Sequence, residues 1–93
     1  MIALDAKPKL AAKARLRTDK ITGDTLLLYP EAGLKLNATG AEVVRRCTGA
    51  ATLSAIVEEL RRAYATADPV LIEREVVDLV TRLTERGLLV VEP

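Results

Sequence analysis

The period of the apolar residues changes once along this chain, near Asn37, and that change limits the folds open to it. Before Asn37, apolar and polar residues alternate over short runs, as they do in half-buried strands. After it, apolar residues recur at spacings of three and four, as on one face of an amphipathic helix. A chain of 93 residues forms one domain, and strands followed by helices predict an α+β fold.

Three short strands are predicted before Asn37. They cover residues 15–17, 25–29 and 34–36. Turns at residues 21–24 and 30–33 separate them, so the three strands predict a three-stranded antiparallel N-terminal sheet. Residues 1–13 have no clear periodicity and contain Pro8. We therefore predict a flexible N-terminal arm over residues 1–13 and a folded domain over residues 14–93.

Three helices are predicted after Asn37. Thr39 and Glu42 have the spacing of a capping box, Thr52 caps the second helix, and Asp68 followed by Pro69 begins the third. Gly49 and Gly87 are expected to end the first and third helices. The predicted apolar stripes are Leu53, Ile56, Val57, Leu60 and Tyr64 on the second helix, and Ile72, Val76, Leu79 and Leu83 on the third. The last two helices resemble a helix-turn-helix pair, so the fold is expected to be winged helix-turn-helix-like, with residues 88–91 extended.

Side chains suited to catalysis are scarce in this sequence. The chain has no histidine, and its single cysteine, Cys47, has neither a histidine to activate it nor a second cysteine to share a metal. On the apolar side of the first helix, Cys47 is expected to be a buried structural thiol. We therefore predict no enzyme activity, no metal site and no cofactor.

Charge and hydropathy argue against nucleic acid and membrane. The third helix has five acidic residues against three arginines, with the acids concentrated in the half that would enter a DNA groove. No apolar run approaches the ~20 residues that span a bilayer, and no disulfide is possible. We expect a cytoplasmic protein that binds neither nucleic acid nor membrane; a winged-helix regulator that binds nucleic acid is the alternative.

A peptide groove is predicted beside the third strand and third helix. Leu34, Lys35 and Leu36 form so short a strand that one edge is expected to be open for strand addition by a peptide. The third helix carries further residues beside its main stripe: Arg74, Val77, Val80, Thr81 and Thr84. These either line the groove or widen the surface that faces the core.

Charge is unevenly distributed along the chain. Residues 1–20 have a net charge of +4 and the remaining residues −3. This asymmetry suits an acidic peptide partner, although charges on strand edges also serve simply to prevent aggregation.

The order of short motifs resembles the PqqD family of precursor-peptide chaperones in pyrroloquinoline quinone (PQQ) biosynthesis. The motifs are Pro8-x-Leu10, Arg15-Leu16-Arg17-Thr18-Asp19, Leu27-Leu28-Tyr29-Pro30-Glu31, Leu36-Asn37, Cys47-Thr48-Gly49 with Thr52, and Arg86-Gly87-Leu88-Leu89. The resemblance extends from residue 8 to the end of the chain. It implies a winged helix-turn-helix with a three-stranded sheet, and a recognition element for ribosomally made, modified peptides.

The resemblance also implies partners. Members of the family bind the precursor peptide PqqA and present it to the radical-SAM enzyme PqqE, using the third strand and third helix. Another member of the wider class, serving a different peptide, is an alternative, as is a minor enzyme subunit that donates residues in trans. The protein is expected to be a monomer, or a dimer formed by exchange of N-terminal strands through an opened linker near Pro30.

Overall fold

The computed structural model describes residues 2–92 and has an α+β fold with two antiparallel sheets and three helices. The strands are β1 (Lys7–Leu10), β2 (Arg15–Thr18), β3 (Thr25–Tyr29), β4 (Ala32–Leu36) and β5 (Leu89–Glu92). The helices are α1 (Ala38–Arg45), α2 (Leu53–Ala63) and α3 (Pro69–Glu85). The predicted fold class and three helices are confirmed, whereas the winged helix-turn-helix description stays a prediction.

The larger sheet has the strand order β2-β3-β4. In its central row, Leu27 lies between Leu16 of β2 and Leu34 of β4. Leu27 is fully buried, so this row of leucines faces the core, as the alternation of apolar and polar residues predicts. Within residues 2–92, β4 pairs with β3 alone, and its second edge is open.

A second sheet, of two strands, joins the two ends of the chain. β1 pairs antiparallel with β5, with Leu10 opposite Leu89. Carbonyl groups of the same segment also accept hydrogen bonds from the region between α1 and α2: Ala6 from the Leu53 amide at 2.8 Å and Pro8 from the Gly49 amide at 3.0 Å. This segment therefore ties together β5, the α1–α2 loop and the start of α2.

The prediction of a flexible arm over residues 1–13 differs from the structure at β1. The strand has only four residues and contains Pro8, a residue that argues against a strand in any single-sequence pattern. Its partner lies at the far end of the chain, so no local pattern records the pairing. Pro8 itself is fully buried.

The core is aliphatic and lies between the sheets and the helices. The predicted stripe of α2 is confirmed at Leu53, Ile56, Val57 and Leu60, all buried. On α3, Ile72, Val76, Val80 and Leu83 are buried, while Leu79 is only partly so. Leu88 and Leu89 complete the core from the C-terminal strand.

Two helix starts were predicted correctly and one was not. Thr52 Oγ1 accepts a hydrogen bond from the Ala55 amide at 3.1 Å, and Asp68 Oδ1 accepts one from the Val70 amide at 2.9 Å. At α1 the predicted capping box at Thr39 is wrong. Asn37 is the cap, because it immediately follows β4 and its extended backbone directs Oδ1 to the Gly40 amide at 2.6 Å.

The two predicted helix-ending glycines behave differently. At α3, Gly87 has φ +76° and donates to the Thr84 carbonyl, while Leu88 donates to the Leu83 carbonyl, which is a Schellman motif. That prediction is confirmed. α1 ends earlier than predicted, with Arg46 as its C-terminal cap, and Gly49 lies beyond it in the loop.

Candidate functional site

A groove of about 370 Å³ lies between β4 and α3, with the first turns of α1 at its base. The strand and the junction to α1 contribute Leu34, Lys35, Leu36, Asn37, Thr39, Gly40 and Val43. The helix α3 and its cap contribute Glu75, Asp78, Leu79, Arg82, Leu83 and Arg86. The groove is therefore built where the strand half of the chain meets the helical half.

The floor of the groove is apolar, and Gly40 keeps it open. A Cβ on Gly40 would lie 2.9 Å from Asn37 Oδ1, 3.5 Å from a Leu79 methyl carbon and 3.7 Å from Leu36 Cβ. A side chain here would collide with the cap of α1 and narrow the floor. Leu36 is 7% exposed, so the apolar surface offered to a ligand comes mainly from the half-buried Leu34 and Leu79.

The rim of the groove is charged. α3 presents Glu75, Asp78, Arg82 and, at its cap, Arg86. On the opposite side the Lys35 ammonium lies 3.4 Å from a carboxylate oxygen of Asp24. A groove with an apolar floor and a charged rim suits a peptide with both apolar and charged side chains.

The open edge of β4 forms one wall of the groove. An edge strand presents unpaired backbone N–H and C=O groups, which an extended peptide can satisfy by pairing as a further strand. The edge supplies hydrogen bonds that do not depend on the peptide sequence, and the floor and rim supply side-chain selectivity. This arrangement can bind a peptide without changing any covalent bond.

A known family matches most of the chain. The model of the family described as "Coenzyme PQQ synthesis protein D (PqqD)" matches residues 24–89, more than half of the sequence. This chain belongs to the PqqD family. The sequence-based assignment is confirmed, and the matched region includes β4, α1 and α3, the three elements that form the groove.

Relatives in the PqqD family carry a functional name. A PqqA binding protein of Rhodopseudomonas palustris (strain BisB5) is 33% identical over 84 residues, which are 90% of this chain and 81% of that protein. A PqqA binding protein of Xanthomonas axonopodis pv. citri (strain 306) is 33% identical over 88 residues, 95% of each chain.

A solved PqqD structure has the same fold. It is the solution NMR structure of the PqqD truncation of Methylobacterium extorquens PqqCD, described as a functional and stand-alone recognition element for ribosomally synthesized and post-translationally modified peptides (RiPPs). The TM-score is 0.75 at 30% identity, and the match covers 92% of this chain and 89% of that one. The two chains therefore share nearly their whole architecture.

The structure separates the residues predicted for the site into two groups. Leu34, Lys35 and Leu36 line the groove. The five predicted residues of α3 do not: Arg74 is exposed, Val77, Thr81 and Thr84 are half-buried, and Val80 is fully buried. Val80 is a core residue with no surface for a ligand.

The other four, Arg74, Val77, Thr81 and Thr84, lie on the flank of α3 away from the groove. Glu73, one turn before Val77, pairs with Arg61 of α2 at 2.9 Å, so this flank faces α2. Helical periodicity identifies both flanks of a buried stripe. It does not say along which flank the sheet runs, and here the sheet lies along the flank of Asp78 and Arg82.

Sequence reasoning missed most of the α3 side of the groove. Leu79 was assigned to the buried stripe, whereas it is half-buried and faces the groove. The acids of α3 were used only to argue against DNA, although Glu75 and Asp78 form part of the rim. The available signal was that Leu79 lies at the margin of the stripe, beside charged residues rather than apolar ones.

Cys47 is a structural residue, as predicted. It is 3% exposed, and its Sγ donates a weak hydrogen bond to the Val43 carbonyl at 3.3 Å. Burial raises the pKa of the Cys47 thiol to about 12. The thiol therefore stays protonated at neutral pH, and a protonated thiol is a poor nucleophile.

Two further findings concern sites of other kinds. Among residues 2–92, no group of three or more Cys, Asp or Glu side chains is placed to hold a metal ion. None of the helices in the same range has the length and apolar character required to cross a membrane.

Proposed function

We propose that this protein is a non-catalytic, cytoplasmic adaptor of PQQ biosynthesis that binds the precursor peptide PqqA and presents it to the radical-SAM enzyme PqqE. The observation that carries the proposal is the open edge of β4 beside an apolar groove. PqqA would enter the groove as an extended segment and pair with β4 as an added strand. The relatives named as PqqA binding proteins support the choice of this peptide.

The residues proposed to bind the peptide come from both walls of the groove. The backbone of Leu34, Lys35 and Leu36 would supply strand hydrogen bonds, and Leu34 and Leu79 would contact apolar side chains of the peptide. Arg82 and Asp78 would meet its charged side chains. On α3 we assign peptide binding to Asp78, Leu79 and Arg82. These residues replace the five that the sequence predicted on this helix: Arg74, Val77, Val80, Thr81 and Thr84.

A pair of matched substitutions tests the groove. Leu79→Asp places a carboxylate on the apolar floor and is expected to weaken PqqA binding at least tenfold, about 1.4 kcal/mol. The control is Val70→Asp at the start of α3, because Val70 is 65% exposed and lies outside the groove. Calorimetric titration measures both affinities, and circular dichroism checks that the helices are retained.

If Leu79→Asp fails to fold, Leu79→Ala provides the same comparison with a smaller change. Equal affinity in the wild-type protein and a folded Leu79 variant would contradict the proposed site.

Presentation to PqqE is the second part of the proposal. A peptide held in an open groove keeps its outer side and both ends accessible, which an enzyme needs in order to reach the residues that it modifies. With PqqE and PqqA present, adding this protein is expected to raise the initial rate at which PqqE modifies the peptide, measured by mass spectrometry. The Leu79→Asp variant is expected to lose that stimulation, and a rate that does not respond to the protein would contradict presentation.

A further inference from the structure

The charges on the α3 rim are separated along the groove. Glu75 and Asp78 occupy the earlier turns of the helix, and Arg82 and Arg86 occupy the later turns and the cap. Between Glu75 and Arg86 the helix rises ~16 Å at ~1.5 Å per residue. That length matches about five residues of extended peptide at ~3.3 Å each. A peptide pairing with β4 would therefore pass an acidic stretch and then a basic stretch.

The position of β4 relative to these charges follows from two contacts. The Gly40 site lies against both Leu36 and Leu79, so the end of β4 is beside the acidic half of the rim. The Lys13 ammonium lies 3.7 Å from the position of a Cβ on Gly87, so the chain entering β2 is beside the end of α3.

The strand register shows where β4 lies relative to the contact between Lys13 and the Gly87 position. Arg15, at the start of β2, pairs with Leu28, and Leu28 pairs with Gly33 near the start of β4. The start of β4 therefore lies on the side of Arg82 and Arg86. β4 and α3 run in opposite directions along the groove.

None of the four rim charges on α3 takes part in an ion pair with N···O of 4.0 Å or less within residues 2–92. Glu75 and Asp78 are three residues apart and Arg82 and Arg86 are four apart, so neighbouring charges of like sign repel each other along the helix. A ligand with charges of opposite sign at the matching positions would relieve both repulsions.

We propose that the groove selects its peptide by charge order. The favoured segment has a basic side chain beside Glu75 and Asp78, an acidic side chain beside Arg82 and Arg86, and apolar side chains between them on Leu34 and Leu79. This inference rests on the proposed function, because it specifies the peptide that the same groove binds. Selection by order differs from attraction by net charge, since the two halves of the rim nearly cancel.

An exchange of charges separates order from net charge. The variant Asp78→Arg with Arg82→Asp keeps the net charge of the protein. It changes the order on the rim, from Glu75 to Arg86, from two acids followed by two bases to alternating signs. Its affinity for PqqA at low ionic strength is expected to fall about tenfold, with a smaller difference at high salt because exposed charges are screened. The matched control is Arg74→Glu with Glu85→Arg, an exchange between two exposed residues of α3 outside the groove, which is expected to leave affinity unchanged.

Calorimetric titration with PqqA gives distinguishable outcomes. If the wild-type protein and the exchange variant bind PqqA equally, charge selection is overturned while the proposed function stands. If the wild-type protein does not bind PqqA at all, the proposed function and the inference both fail. Should the exchange variant not fold, Asp78→Asn with Arg82→Gln replaces it. That neutral variant is expected to bind with a clearly weaker salt dependence than the wild-type protein, and an unchanged salt dependence overturns the inference.

Discussion

Asn37 and Gly40 connect the stability of α1 to the shape of the groove. The Asn37 side chain caps the helix by accepting the Gly40 amide, and the missing side chain of Gly40 leaves room both for that cap and for the groove floor. One local hydrogen bond thus fixes the turn at which the sheet meets the helices. At this turn the Gly40 backbone lies close to both Leu36 and Leu79, so the turn forms part of the groove floor.

The Asn37 cap is expected to contribute measurably to the stability of the fold. Asn37→Ala is expected to lower the free energy of unfolding by about 1 kcal/mol, because it removes the cap of α1. Thr39→Ala is the control, since Thr39 fits a capping pattern in the sequence but does not cap the helix in the structure. Urea unfolding of both variants measures the difference. A larger loss from Thr39→Ala would contradict the cap described here.

The Cys47 thiol gives a prediction about pH. Burial raises its pKa from an ordinary value of 9.0 to about 12 in the folded chain, so the unfolded chain loses the proton first as pH rises. The stability that depends on the neutral thiol is therefore complete below pH 9 and is lost progressively between pH 9 and about 12.

Comparison with Cys47→Ala isolates this effect. The difference in free energy of unfolding between the wild-type protein and the variant is expected to be constant below pH 8. Above pH 9 it should shift against the wild-type protein, approaching ~1.4 kcal/mol per pH unit. Denaturant unfolding at a series of pH values measures both proteins. A difference in free energy of unfolding that stays constant up to pH 11 would mean that the thiol is not buried in the folded chain.

The segment of β1 has partners in several parts of the fold. It pairs with β5, and backbone groups of the same segment also hydrogen-bond to Cys47, Gly49 and Leu53. Because β5 continues directly from the end of α3, β1 also fixes the position of the helix that forms one wall of the groove.

Removal of β1 is expected to destabilise the fold. Deleting residues 1–10 is expected to lower the free energy of unfolding by ~2 kcal/mol or more, because several hydrogen bonds of ~0.5–1.5 kcal/mol each are lost. The control is deletion of residues 1–3, which leaves β1 in place. Urea unfolding compares the two, and amide exchange at β5 shows where protection is lost. Equal free energies of unfolding for the two deletion variants would mean that residues 4–10 add no stability, as expected of a flexible arm.

The elements that the sequence predicted well are those defined by local patterns. The caps at Thr52 and Asp68, the end of α3 at Gly87 and the stripe of α2 each depend on residues a few positions apart. The pairing of β1 with β5 depends on the two ends of the chain meeting, which no local pattern encodes. The α3 wall of the groove was missed for a related reason. How the sheet packs on the helices determines which flank of α3 lies beside β4, and local periodicity does not show this packing.

At the scale of the whole molecule, the protein holds an open strand edge beside a helix without closing it. The core of aliphatic residues packs the helices against the sheets. In the part of the chain that the structure describes, the outer edge of β4 is unpaired, with a groove of about 370 Å³ beside it. A fold that fixes both walls of the groove in advance reduces the ordering needed on the protein side when a peptide binds.

NMR titration of the isotopically labelled protein with PqqA tests peptide binding at the β4–α3 groove. A saturable one-to-one complex is expected. The largest amide shifts should lie at Leu34, Lys35 and Leu36 of β4 and at the groove-lining residues of α3, namely Asp78, Leu79, Arg82 and Arg86, with slowed amide exchange in β4. Shifts confined to the other flank of α3, at Arg74, Val77 and Thr81, or no shifts at saturating peptide, would contradict it.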